Sequence, residues 1–165
     1  MPQAVRTYLE MTDPSQLTGE PAGPPGVTLA REVACAPGFW RRLYVEIGRE
    51  YQWVDRLGWT DGEIRRYLDD PGVELWVLRD GADVAGYFEL RRDADGGIEI
   101  AYLGLMPAFT GRGFGRYLLA AAVTRAWAVG PSRVWVHTSS LDHPSAFPNY
   151  LARGFSVWKQ ETYTA

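Results

Sequence analysis

Between an apolar, β-prone run (Ile98–Leu105) and a stretch from Tyr117 to Val129 that reads as a helix, the chain carries Thr110-Gly111-Arg112-Gly113-Phe114-Gly115-Arg116. A glycine-rich turn that opens a helix leaves several backbone N–H groups unpaired and aligned. The helix dipole adds partial positive charge at the same place. Such a turn suits a phosphate or pyrophosphate. No lysine completes a P-loop, and the GxGxxG dinucleotide fingerprint fails because Leu118 stands where its last glycine would fall.

Other reactive residue types are sparse. The chain has two histidines, His137 and His143, and one cysteine, Cys35, with no HExxH or CxxC spacing, so no metal site is expected. A lone cysteine excludes an intrachain disulfide and fits a reducing, cytoplasmic location. It lacks a histidine in a recognisable motif, so no covalent enzyme intermediate is expected. With a net charge of −3 and arginines spread among acids, no basic field for nucleic acid is visible. No stretch approaches the length of a membrane span, and no basic head followed by an apolar run marks a signal peptide.

The elements that must hold the loop follow from periodicity and punctuation. The 165 residues suit one domain with one core, spanning 1–165. Val5–Met11 and Val27–Val33 read as strands around a proline- and glycine-rich surface loop, Pro21–Gly26. Pro37–Trp53 reads as a helix, with Phe39, Trp40, Leu43, Tyr44 and Ile47 at helical spacing. Thr60 with Glu63 three residues on makes a capping box for a second helix, which Asp69-Asp70-Pro71-Gly72 ends.

Three strands follow, Val73–Arg79, Val84–Arg91 and Ile98–Leu105, joined by hairpin turns at Asp80-Gly81 and Asp95-Gly96-Gly97. The helix after the glycine loop carries an apolar stripe of Leu118, Ala121, Ala122, Ala126 and Val129. Beyond it lie a strand at Arg133–Thr138, a helix at Pro144–Arg153 and a last strand at Phe155–Tyr163. A crossover helix between the third meander strand and the next makes those two parallel. The fold expected is α/β: a mixed, mostly antiparallel central sheet flanked by helices on both faces.

A second segment adds to the glycine loop. Ala146, Tyr150, Gly154 and Phe155 fall in an A-x3-Y-x3-G-F pattern. With the loop, this resembles the two signature segments of the GNAT superfamily of N-acetyltransferases, over roughly Val73 to Val157. More narrowly, VWVHTSSLDHPSAFPNYLARGF resembles a group of bacterial GNAT proteins of unclear substrate. The chain departs from the pattern twice. Thr110 stands at the first loop position, where Arg or Gln is usual, and His143 where many members have an asparagine that helps hold the cofactor.

The resemblance implies acetyl-CoA as cosubstrate. Backbone groups of Thr110, Gly111, Arg112, Gly113, Phe114, Gly115 and Arg116 would face its pyrophosphate, with His143 or Asn149 assisting. Its pantetheine arm would add to the strand edge at Leu103 and Leu105. A protonated amine needs a base. The resemblance points to Glu99, with His137 or an ordered water as alternatives. Tyr150 is the implied acid for the departing thiolate.

Trp40, Tyr44, Tyr51, Trp53, Trp59 and Tyr67 belong to the segment that shapes the acceptor pocket in this family. Tyr87 and Glu89 would join from the neighbouring strand, as an aromatic wall beside a carboxylate, and His137 could also contact the acceptor. Asp142 would cap the helix after it. The implied function is transfer of acetyl to a primary amine on a small molecule or peptide, and the resemblance is compatible with a homodimer. The rival reading is an acyl-CoA-binding sensor or interaction module without transferase activity.

Overall fold

The computed structural model describes residues 2–19 and 22–165. In chain order its elements are β1 (Gln3–Met11), β2 (Val27–Arg31), α1 (Pro37–Gly48), α2 (Asp61–Leu68), β3 (Val73–Asp80), β4 (Asp83–Arg92), β5 (Ile98–Leu105), α3 (Phe114–Ala128), β6 (Val134–Ser139), α4 (Ala146–Ala152) and β7 (Ser156–Thr164). The strands form one open sheet in the order β2-β3-β4-β5-β6-β1-β7. Every pairing is antiparallel except β5 with β6, the pair joined by the α3 crossover. Among the described residues no helix is long and apolar enough to cross a membrane.

Helices cover both faces, as the pattern predicts. A Cβ on Gly104 would meet Ile47 of α1, whereas a Cβ on Gly115 of α3 would lie 3.7 Å from Leu105, the next residue of β5. Successive strand residues point to opposite faces, so α1 and α3 lie on opposite sides of the sheet. Leu118, Ala122 and Ala126 of the expected stripe are buried, and so are Leu119 and Val123, so α3 is apolar over a wide arc.

Several boundaries differ from expectation. The first helix ends at Gly48, not Trp53: a single 3-10 turn covers Arg49–Tyr51, and Gln52 takes a left-handed conformation with φ 57°. That residue turns the chain, so Trp53 leaves the helix axis and approaches the sheet. β2 stops at Arg31, short of Val33, and Ala34 beyond it has φ 55°. α3 starts at Phe114, three residues before Tyr117, because Gly113 already turns the chain into it with φ 83°. α4 starts at Ala146, two residues after Pro144. Of the expected loop at Pro21–Gly26, Pro21 lies outside the described residues, and 22–26 form neither helix nor strand. The Thr60–Glu63 capping box is present, with both reciprocal bonds at 3.2 Å.

The segment between α1 and α2 is held by a buried ion pair. One terminal nitrogen of Arg56 donates to both carboxylate oxygens of Glu89 on β4 at 3.0 Å, and the other donates to the Tyr67 hydroxyl at 3.1 Å. The rings of Trp59, Tyr67 and Tyr102 surround the guanidinium at 4.8, 4.5 and 4.4 Å. The side chains are 6% and 0% exposed, so neither charge has water as a substitute partner. Burial, the largest single effect, would lower the Arg56 pKa, but Glu89 together with Tyr67 and Tyr102 outweighs it, and the group stays charged. Removing one member of such a pair strands the other and costs about 3–5 kcal/mol. Glu89→Gln is therefore expected to lower the unfolding free energy by about that amount in urea titration. A loss indistinguishable from zero would contradict the clamp.

Candidate active site

The site begins where two parallel strands stop pairing. β5 and β6 are in register only at Ile98 with Val134 and Glu99 with Trp135. Just beyond, β5 carries a bulge: Glu89 pairs with Tyr102 and Leu90 with Ile100, which leaves Ala101 as an extra residue. A bulge bends its strand and sharpens the local twist. β5 therefore follows β4 away from β6, while β6 stays paired with β1 from Val134 to Ser139. The split opens into a cavity of about 800 Å³, lined on one side by 100–105 of β5 and on the other by Val136, His137 and Ser139 of β6. Strand backbone groups left without a partner require one from a ligand or water.

One end of the cavity reaches the glycine loop. Thr110, Gly111, Gly113, Gly115 and Arg116 line it. Gly111 and Gly113 have φ of 73° and 83°, which a side chain would strain. No side chain caps α3, so the N–H groups of its first turn are free for a ligand. Thr110 differs from expectation: its hydroxyl and its backbone N–H both donate to the Pro107 carbonyl, at 2.9 and 3.3 Å, so its N–H is already paired and the free N–H groups begin after it. Arg112 does not line the cavity. It bonds the Ala108 carbonyl and lies over Phe109 and Phe114, and Phe114 itself is buried core.

The other wall comes from the β6–α4 turn and from α4. Asn149 donates to the Gly115 carbonyl at 3.3 Å and so ties α4 to the start of α3. His143 accepts from the Ser145 backbone at 3.1 Å and lies edge-on to Tyr51, 5.9 Å away, where the two sides of the cavity meet. Asp142 does not cap α4. It accepts from the Thr138 hydroxyl and the Ser139 N–H and so fixes the end of β6 instead.

Tyr150 is nearly buried yet lines the cavity, and burial, reinforced by the Asp142 charge, raises its pKa well above the ordinary phenol value. It therefore keeps its proton and can act as a donor.

His137 and Glu99, the two residues expected as candidate bases, lie side by side. The His137 side chain is 39% exposed and lines the cavity. Glu99 does not line it. Its carboxylate is 4% exposed, accepts from Arg91, and lies 3.6 Å from His137 Nε2. Burial, the largest effect, pushes the His137 pKa down, and Arg6 and Arg91 push the same way against Glu99 and Asp142. The net result lies below 6.5, the ordinary histidine value. The imidazole is thus neutral near pH 7 and able to accept a proton. Cys35 is half-buried with its thiol pushed up to about 11, chiefly by burial, which makes it a poor nucleophile.

The expected acceptor wall is only partly present. Tyr51 and Trp53 line the cavity, as do Leu103 and Leu105. Tyr87 and Glu89 do not. Both are fully buried, and Glu89 is spent on Arg56. Trp40 and Tyr44 are core, while Trp59 and Tyr67 box the guanidinium. Asp55 lines the cavity where Glu89 was expected to. Arg6 also lines it, with its guanidinium 4.3 Å above the Tyr163 ring and paired with Glu161 at 3.1 Å. Neither Arg6 nor Asp55 stands out in the sequence, because each meets the cavity only through long-range pairing or a turn.

A model of the acetyltransferase (GNAT) family matches residues 32–155. The chain belongs to the GNAT family. Among solved structures it is similar to a GCN5-related N-acetyltransferase from Kribbella flavida, with TM-score 0.66 and 22% identity over 93% of this chain and 54% of that one. A GCN5-related N-acetyltransferase from Sphaerobacter thermophilus matches with TM-score 0.70 and 22% identity over 97% of this chain and 50% of that one. The chain thus spans about half the length of both. An aminoglycoside acetyltransferase from an uncultured soil metagenomic sample, solved with trehalose, matches with TM-score 0.62 and 15% identity over 78% of this chain and 87% of that one. At these identities the likeness is one of fold. No curated protein matches the chain in sequence.

The GNAT loop geometry predicts the effect of a small change. Gly113→Ala forces a Cβ into φ 83° and should cost about 1–2 kcal/mol, read as a lower melting temperature. Gly113→Asn, which tolerates that conformation, should cost less. Equal melting temperatures for all three would contradict the left-handed assignment.

Proposed function

We propose that this chain transfers an acetyl group from acetyl-CoA to a primary amine by direct attack, as one catalytic domain, with His137 as base and Tyr150 as acid. The observation that carries the reading is that one cavity joins the uncapped start of α3, the unpaired stretch of β5 and both proton-transfer groups. The family generally uses acetyl-CoA, and the site fits it: a helix N-terminus suits the pyrophosphate, and a free strand edge suits the amides of a pantetheine arm.

When bound, acetyl-CoA supplies a thioester carbonyl open to attack. The N–H groups around Gly111, Gly113 and Gly115 hold its phosphates, Arg116 adds charge, and Asn149 and His143 support the wall beside them. Backbone N–H groups at Leu103–Leu105 polarise the carbonyl. His137 takes the proton of the attacking ammonium, so that nitrogen can form the new C–N bond. After attack that nitrogen still carries a proton it must shed; Tyr150 would give its own proton to the sulfur as the C–S bond breaks and regain one, by way of water, from that nitrogen. Glu99, held by Arg91, acts through His137: it orients the ring and stabilises its charged form. Trp53, Tyr51 and Asp55 face the acceptor, and an aromatic wall beside a carboxylate suits a cationic amine. A small-molecule amine is favoured by the fold shared with aminoglycoside acetyltransferases.

The test is thiol release from acetyl-CoA over a panel of amines. His137→Gln should lower kcat by about 10²–10⁴-fold. The rate should rise with pH as His137 loses its proton, with a midpoint below 6.5. Glu99→Gln removes a charge that raises the His137 pKa, so it should retain more activity than His137→Gln and move that midpoint to lower pH. Wild-type kcat in His137→Gln would overturn its role. Acetyl-CoA binding with no turnover across the panel would favour a binding module instead.

A further inference from the structure

We propose that Trp53 closes the acyl end of the cavity and restricts the donor to short acyl groups; the proposal rests on the acetyl-CoA reading above. The indole reaches the middle of the unpaired stretch of β5. A Cβ on Gly104 would lie 3.1 Å from Trp53 Cη2, and a Cβ on Gly48 would lie 2.6 Å from Trp53 Cβ. Two glycines, one on the sheet and one at the end of α1, therefore leave the volume that the side chain occupies. The turn at Gln52 delivers it there, and the Trp53 N–H donates to the Gly48 carbonyl at 3.1 Å.

The ring is also braced. It packs edge-on against Tyr102, 4.8 Å between centroids, and against Tyr87 at 6.3 Å. Arg56, three residues further on, is locked to Glu89 and lies against that same Tyr102. The indole thus has little freedom to swing aside. Across the split stands His137, on the other wall of the same cavity. An acyl carbonyl polarised by the β5 backbone would have its chain directed at this ring, where a methyl fits and each further methylene meets aromatic carbon.

Behind the indole lies Tyr87, fully buried, whose hydroxyl has no hydrogen-bond partner among the described residues. Shortening residue 53 would extend the cavity toward that hydroxyl.

The experiment is calorimetric titration of the full chain with CoA, acetyl-CoA, butyryl-CoA and hexanoyl-CoA, for wild type, Trp53→Phe and Trp53→Ala. The wild type should bind hexanoyl-CoA at least about tenfold more weakly than acetyl-CoA, because overfilling an apolar pocket by even one methylene is resisted by that order. Trp53→Phe should narrow the gap between acetyl-CoA and hexanoyl-CoA, and Trp53→Ala should abolish it. Equal affinity of the wild type for acetyl-CoA and hexanoyl-CoA would overturn the proposal even if Trp53→Ala does not fold. Persistence of the gap in a folded Trp53→Ala would also overturn it. Failure of CoA itself to bind the wild type would instead sink the donor reading on which the proposal stands.

Discussion

The rest of the molecule depends on the separation of β5 from β6 after two paired residues. A parallel pair joined by a helical crossover would ordinarily continue its ladder to the strand ends. Here the extra residue Ala101 bends β5 toward β4, and β6 keeps its full register with β1. The sheet stays continuous at one end and opens at the other, so backbone hydrogen-bonding capacity is exposed inside a cavity rather than at an outer edge. The uncapped start of α3 opens into the same cavity, because the loop that leads to it leaves directly from the end of β5. An uncapped helix start and an open strand edge are thereby brought into one cavity by a single local defect.

The open end needs reinforcement, and buried polar contacts supply much of it. Arg56 and Glu89 join the α1–α2 segment to β4 on one side. Asp142 fixes the end of β6, and Asn149 ties α4 to α3 on the other. A buried ion pair is an expensive way to gain stability compared with apolar packing. It does specify geometry, because a guanidinium that grips a carboxylate and sits among three rings tolerates one arrangement. Trp53, Val54 and Asp55 immediately precede Arg56 and line the cavity, so a fixed position for that segment is what the site requires.

Much of this was legible in the residues. Hairpin turns at Asp80-Gly81 and Asp95-Gly96-Gly97, the crossover before Arg133 and the box at Thr60–Glu63 each act over a few residues, and each is where local chemistry places it. The glycine loop was legible for the same reason. The acceptor side was not. Glu89 looks like a pocket carboxylate until its partner, 33 residues earlier in the chain, is known. Glu99 sits on the right strand, but the same bend that opens the cavity leaves it beneath His137 rather than facing the space. Trp53 reads as the end of a helix because nothing in the residue types announces that Gln52 turns left-handed. Burial partners and strand bends are non-local, and periodicity does not encode them.

The central claim is that the open strand and the glycine loop bind one ligand together. It is tested most directly by mapping amide resonances of the ¹⁵N-labelled protein while acetyl-CoA is added. The account predicts perturbation of two sets at once, Leu103–Leu105 and Gly111–Arg116, saturating with a common affinity. Shifts in the loop alone, or no saturable shift at either place, would contradict it.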